Sequence, residues 1–123
     1  MSKTVMVIDD SGSFRTVVKL ALQKAGYTVM EAGDGKEALA KLDGSVKVNL
    51  IVCDVNMPNM DGLTMAEKIR SELGNATVSI VMLTTENSPI MKERGKAAGI
   101  KGWIVKPFKG DAVLATFKKL AGA

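Results

Sequence analysis

The chain has 123 residues, one domain's worth, of which 46% are apolar and only 4% aromatic, so its core must be built from Val, Ile, Leu, Met and Ala. Histidine is absent and there is one cysteine. This excludes Ser-His-Asp and Cys-His catalysis, His-based metal sites, an internal disulfide and any phosphohistidine of the chain's own. The net charge of +4 is unevenly placed, with eight basic residues against two acids in 88–123 and nine against eleven in 1–87.

A basic carboxyl-terminal region suits an acidic partner protein, although a solvated lysine surface would look the same. No basic run or reading helix points to nucleic acid, and no apolar run approaches a membrane span. The start, MSKTVMVIDD, has one short apolar run, Val5–Ile8, stopped by two acids. That is not a signal peptide, so the expected compartment is the cytosol. Cys53 lies inside an apolar run and reads as a buried structural thiol.

Five alternations of strand and helix follow one another. Thr4–Asp9 is the first strand. Ser13–Ala25 has Phe14, Val17, Val18, Ala21, Leu22 and Ala25 at helical spacing, with Gly26 placed to end it. Tyr27–Glu31 is the second strand. Gly35–Leu42 is a short helix capped by Asp34, whose side chain can accept free backbone N–H groups. Asn49–Asp54 is the third strand, and its apolar run breaks up into the turn residues Asn56, Pro58, Asn59, Asp61 and Gly62. Leu63–Leu73 is the third helix and Val78–Thr84 the fourth strand. Ser88 and Pro89 form an N-cap and first turn for a helix running to about Ala98. Its internal Gly95 costs about 1 kcal/mol against alanine, which suggests a loosely held element. Gly102–Lys106 is the fifth strand, and Gly110–Ala121 the last helix.

The first, third and fourth strands hardly alternate, the signature of a parallel sheet covered on both faces. The expected fold is a three-layer α/β sandwich of five strands and five helices, in the flavodoxin-like order 2-1-3-4-5. In that order the carboxyl ends of neighbouring strands bring Asp9, Asp10 and Asp54 to one pocket, with Thr84 and Lys106 beside them. Two unit charges 4 Å apart repel by about 4 kcal/mol at an effective dielectric of 20. A divalent cation with hard oxygen ligands, such as Mg²⁺, or the Lys106 ammonium would offset that. A carboxylate so placed can attack phosphorus, with Thr84 and Lys106 supplying a hydroxyl and an ammonium for the phosphoryl oxygens. Each of these residues taken singly also has an ordinary reading, as a turn cap, a strand residue or a surface lysine.

The segments VIDD at Val7–Asp10, CDVNMPNMDG at Cys53–Gly62, LTTE at Leu83–Glu86 and KPF at Lys106–Phe108 together resemble the receiver domain of two-component response regulators. The resemblance runs essentially end to end, as one receiver domain over residues 1–123. Within the family it is closest to stand-alone chemotaxis regulators of the CheY type, whose residue types recur at Asn56 and Glu86. It implies that Asp54 accepts phosphate from a histidine kinase of the CheA kind. It implies Mg²⁺ held by Asp10, Asp54 and the backbone carbonyl of Asn56, with Asp9 helping partly through water. Thr84 and Lys106 would move onto the phosphoryl oxygens, and the Lys106–Pro107 peptide would be cis. Trp103 takes the aromatic switch position. The signal would leave through the fourth helix, fifth strand and last helix, toward a flagellar motor switch protein or a phosphatase. Weak autophosphorylation and self-dephosphorylation, both Mg²⁺-dependent, and a monomeric state are implied as well.

Two residues depart from the family pattern. Trp103 stands where Tyr or Phe is more usual, and its larger ring is harder to bury beside Thr84. Thr85 stands where small residues are common, and its branched side chain would narrow water's approach to phosphorus. Three other readings remain open: a phosphate sink or relay intermediate, an unphosphorylated scaffold, and a small flavin or nucleotide binder. The last is disfavoured by the first loop, Asp10–Ser13, which has one glycine and acids where phosphate would sit.

Overall fold

The structure is a computed structural model and describes residues 3–75 and 77–122. Ten elements alternate: β1 (Thr4–Ile8), α1 (Gly12–Lys24), β2 (Thr28–Ala32), α2 (Gly35–Lys41), β3 (Leu50–Cys53), α3 (Gly62–Ser71), β4 (Ser79–Thr84), α4 (Pro89–Ala97), β5 (Gly102–Val105) and α5 (Gly110–Leu120). All strand pairs are parallel, in the order β2-β1-β3-β4-β5. The expected fold and strand order are borne out. The strands end one residue earlier than the sequence suggests at three of the site residues, so Asp9, Asp54 and Lys106 stand just beyond β1, β3 and β5.

Every residue of β1, β3 and β4 is buried, and the period of two sends neighbours to opposite faces. Met6, Ile8, Ile51, Ile80 and Met82 join Leu63, Met65, Ala66 and Ile69 of α3 in one core. Val5, Val7, Leu50, Val52, Val81 and Leu83 join Val18, Leu22, Val113 and Phe117 of α1 and α5 in the other. Burying one such side chain fully stabilises the fold by about 1.5–3 kcal/mol. The edge strands β2 and β5 are only partly covered.

The helix boundaries follow the expected chemistry. The Asp34 carboxylate accepts from the Glu37 N–H at 2.8 Å, and Ser88 caps α4 with Pro89 in its first turn. After α1 the chain turns at Gly26, where φ is +98°, a left-handed conformation that suits glycine. One helical face differs from the expectation. Val17 is 54% exposed and Ala25 lies at the surface, whereas Val18 and Leu22 are fully buried. The buried stripe of α1 is therefore narrower than its apolar spacing suggests.

Gly95 also differs. It is the one residue of α4 that is buried. A Cβ there would lie 3.2 Å from both Ile100 Cδ1 and Trp103 Cζ3, and 3.4 Å from Leu63 Cδ2. The glycine that weakens the helix also lets it sit close against α3 and β5. The rest of α4 is thinly anchored, and Ile90 at its start is 83% exposed.

Candidate functional site

The parallel sheet sends the ends of β1, β3, β4 and β5 to one edge, and side chains from all four meet there. Asp9, Asp10 and Asp54 each present a carboxylate oxygen, and these oxygens lie within 4.8 Å of one another. Asp9 and Asp54 are buried, while Asp10 is exposed and forms the open side. The Thr84 hydroxyl, itself fully buried, donates to Asp54 Oδ1 at 2.5 Å. Lys106 Nζ bridges the two buried acids, at 2.9 Å from Asp9 Oδ2 and 3.1 Å from Asp54 Oδ2. The Lys106–Pro107 peptide is cis.

The backbone around each acid is held independently. Ser11 N–H donates to Asp9 Oδ1 at 2.9 Å, and Arg15 donates to the Asp9 carbonyl at 2.6 Å. Asp54 Oδ1 also accepts from the Asn56 N–H at 3.3 Å. The chain then folds back so tightly that a Cβ on Gly62 would stand 2.1 Å from the Asp54 carbonyl oxygen and 2.9 Å from Cys53 Sγ. Only glycine fits there. Asp61 does not join the acids; its carboxylate accepts from the Thr64 N–H at 2.9 Å and caps α3.

The electrostatics follow from this packing. Burial pushes the Asp9 carboxyl above the ordinary carboxylate range, against the Ser11 N–H and the Lys106 ammonium that favour its charged form. Burial alone would lower Lys106, but its hydrogen bonds to Asp9 and Asp54 outweigh that and raise it. The Cys53 thiol is driven well above its usual value by burial and then by the neighbouring acids. It donates to the Asp54 carbonyl at 3.0 Å and is inert as a nucleophile.

The donor set fits a hard cation. It offers only oxygens, from carboxylates that repel one another and share one ammonium, with one side open to water. Asp9, Asp10 and Asp54 are the residues that would hold Mg²⁺.

Two partners of the site were not singled out by the sequence for this role. Phe14 reads as a core residue of α1, yet Lys106 Nζ lies 4.1 Å from its ring centroid, a cation–π contact. Glu86 accepts from the Asn56 side-chain amide at 2.6 Å across the mouth of the pocket. Its backbone N–H donates to Thr84 Oγ1 at 3.2 Å, and its carbonyl accepts from Trp103 Nε1 at 2.8 Å. No one-dimensional pattern marks the Asn56–Glu86 and Glu86–Trp103 contacts, which join residues 30 and 17 apart, or the Phe14–Lys106 contact, which joins residues still more distant in the chain.

The family model described as "Response regulator receiver domain" matches residues 5–118. The chain belongs to this receiver family. The receiver is 38% identical over 105 residues to chemotaxis protein CheY1 of Helicobacter pylori, covering 85% of each chain. It is 36% identical over 105 residues to a CheY homologue of Campylobacter jejuni, covering 85% of this chain and 81% of that one. Among solved structures it is similar to chemotaxis protein CheY4 of Vibrio cholerae, with 42% identity, a TM-score of 0.90, and 98% and 99% of the two chains covered. The acids, hydroxyl and lysine of this receiver thus sit on the scaffold of a two-component response regulator of the CheY kind, a family that binds Mg²⁺ at its acidic cluster.

Proposed function

We propose that this receiver is a phosphorylation switch in which Asp54 takes a phosphoryl group from a phosphohistidine of a partner kinase. The observation that supports the reading is the pairing at Asp54. One carboxylate oxygen is held by the Thr84 hydroxyl and the other by the Lys106 ammonium, the two groups best suited to receive phosphoryl oxygens.

In the transfer, an Asp54 oxygen attacks phosphorus, the P–N bond to the donor imidazole breaks, and the imidazole leaves with its electron pair and takes up a proton. Before attack Thr84 and Lys106 hold the carboxylate in place. As the acyl phosphate forms, both would exchange a carboxylate oxygen for a phosphoryl oxygen. Mg²⁺ bound by Asp9, Asp10, Asp54 and the Asn56 carbonyl would neutralise the acids and stabilise charge on the phosphoryl oxygens. Asp10, at the open side, faces the incoming donor.

Movement of Thr84 would pull on the Glu86 N–H and, through the Glu86 carbonyl, on Trp103. That path leads to α4, β5 and α5, the basic region where α4 is thinly anchored. Phosphorylation would then shift an existing equilibrium of this face. A chemotactic output, with a flagellar motor switch protein as the reader, is suggested by the CheY proteins it resembles. A cytoplasmic regulator built on this receiver domain fits the same reading.

Intact-mass spectrometry with acetyl phosphate tests the chemistry, with and without Mg²⁺ and beside Asp54→Asn. A Mg²⁺-dependent phosphoryl adduct on the wild type and none on the variant is the expected result. Folded protein without an adduct under any condition would leave a scaffold instead.

A further inference from the structure

The opposite edge of the sheet holds a second feature, with no link to phosphoryl chemistry. A cavity of about 910 Å³ opens where β1, β3, β4 and β5 begin, within the size range of ligand sites. Four lysines line it: Lys3 just before β1, Lys47 just before β3, Lys101 just before β5, and Lys119 near the end of α5. Asp43 is the one acid in the described lining, and it is turned onto its own loop, accepting from the Ser45 N–H at 2.9 Å. The structure gives none of the four ammonium groups an ion pair among the described residues.

Lys119 complements the carbonyl end of α5, as a basic residue in a last turn commonly does. The other three precede strands, so no helix end accounts for them. Between the lysines the lining mixes the polar side chains of Asn49, Asn75, Thr77 and Ser79 with aliphatic ones, of which Val46 and Leu73 are exposed to solvent.

We propose that this cleft binds an acidic, aliphatic peptide segment of a partner protein. Spacing separates this occupant from a small anion. Lys3 and Lys101 stand at the feet of β1 and β5, three interstrand spacings apart in the sheet order, or about 14 Å. The span matches four to five extended residues at about 3.3 Å each, whereas a single phosphate would draw the lysine side chains to one point and leave Val46 and Leu73 uncovered. Acidic side chains on one side of such a segment would meet the lysines, and aliphatic ones on the other would cover Val46 and Leu73. The site would leave the Asp54 edge free, so both could be occupied together.

The test titrates a short blocked peptide of alternating glutamate and leucine into ¹⁵N-labelled protein and follows backbone amide shifts by NMR. Lysine–leucine peptide and sodium tripolyphosphate serve as comparisons. Saturable shifts at Val46–Asn49, Thr77–Ser79 and Lys101 are expected from the acidic peptide. Lys47→Glu with Lys101→Glu should weaken binding about tenfold or more. Lys36→Glu with Lys109→Glu changes the net charge equally, at the opposite edge of the sheet where α2 and α5 begin, and should leave affinity within about twofold. Both pairs are exposed lysines, and the amide spectra report directly that the variants fold. The proposal is overturned if no saturable shift appears, if the shifts lie elsewhere, or if both variants lose affinity alike. Tripolyphosphate binding at the cleft while the acidic peptide is silent would also overturn it and assign a small-anion site.

Discussion

Trp103 Nε1 donates to the backbone carbonyl of Glu86 at 2.8 Å, and Glu86 N–H donates to the Thr84 hydroxyl at 3.2 Å. The indole is thereby two hydrogen bonds from the hydroxyl held by Asp54. It is also the sole tryptophan, half-buried against α4. Acetyl phosphate with Mg²⁺ should therefore change tryptophan emission with the same time course as the phosphoryl adduct. Thr84→Ala removes the link and should abolish most of the change while an adduct still forms. An emission spectrum indifferent to the adduct would separate Trp103 from the site.

Gly62 presents a purely steric prediction. A methyl group there would meet the Asp54 carbonyl and Cys53 Sγ at distances no real contact tolerates, and both belong to the buried residues that aim Asp54. Gly62→Ala should destabilise the fold by roughly 1–3 kcal/mol or more, as overpacking does, and slow adduct formation as well. Gly44→Ala is the comparison. Its Cβ meets nothing within 4 Å, although φ is +89°, so it should cost stability through backbone strain alone and leave the adduct rate unchanged. Urea unfolding and adduct kinetics on the two variants decide it.

Most of the fold was legible because the sheet's central strands are buried on both faces and so read as unbroken apolar runs. The convergence of Asp9, Asp54, Thr84 and Lys106 follows from strand order alone, since each lies at or just past the carboxyl end of its strand. What the sequence hides is side-chain reach. Phe14 fits the apolar stripe of α1 as well as Val18 does, and only the path of Lys106 turns its ring into a cation–π partner. Gly95 reads as a helix weakness because propensity is local, whereas its reason is the approach of Trp103 and Ile100 from elsewhere in the chain. Val17 shows the converse, an apolar residue at helical spacing that no second element covers.

Glu31 on the edge strand β2 gives a pH dependence away from the acid pocket. Lys19 at 3.1 Å and Arg15 at 3.3 Å hold its carboxyl below the ordinary range, the Lys19 hydrogen bond contributing most. A lowered folded-state pKa means stability that is present above the unfolded value, near 4.5. It is lost as pH falls through the lower folded value. Glu31→Gln should cost about 1 kcal/mol or less at pH 7, since the pair is partly exposed and screened. The gap between wild type and variant should close under acid. Urea melts of both proteins at neutral pH and below pH 4 provide the check, and a gap that persists unchanged in acid would mean the loss is one of packing.

Among the described residues Lys106 is the one cation set between Asp9 and Asp54, and its loss should expose what it offsets. Lys106→Met keeps much of the stem that packs by Phe14 but removes the ammonium. Without divalent metal, two buried carboxylates then face each other uncompensated, and removing one partner of a buried pair typically costs about 3–5 kcal/mol. The open side at Asp10 lets water in, so a loss of about 2–3 kcal/mol is expected. A cation bound only by the folded state stabilises it by mass action. Mg²⁺ should therefore raise the melting temperature of Lys106→Met more than that of the wild type, because in the wild type metal and ammonium compete for the same oxygens. Lys106→Met with Asp54→Asn carries one acid fewer and should regain part of the stability in the absence of metal while responding less to Mg²⁺. Melting curves of the three proteins with EDTA and with MgCl₂ measure both effects. An identical Mg²⁺ response in all three would mean that the acids do not form one cation site.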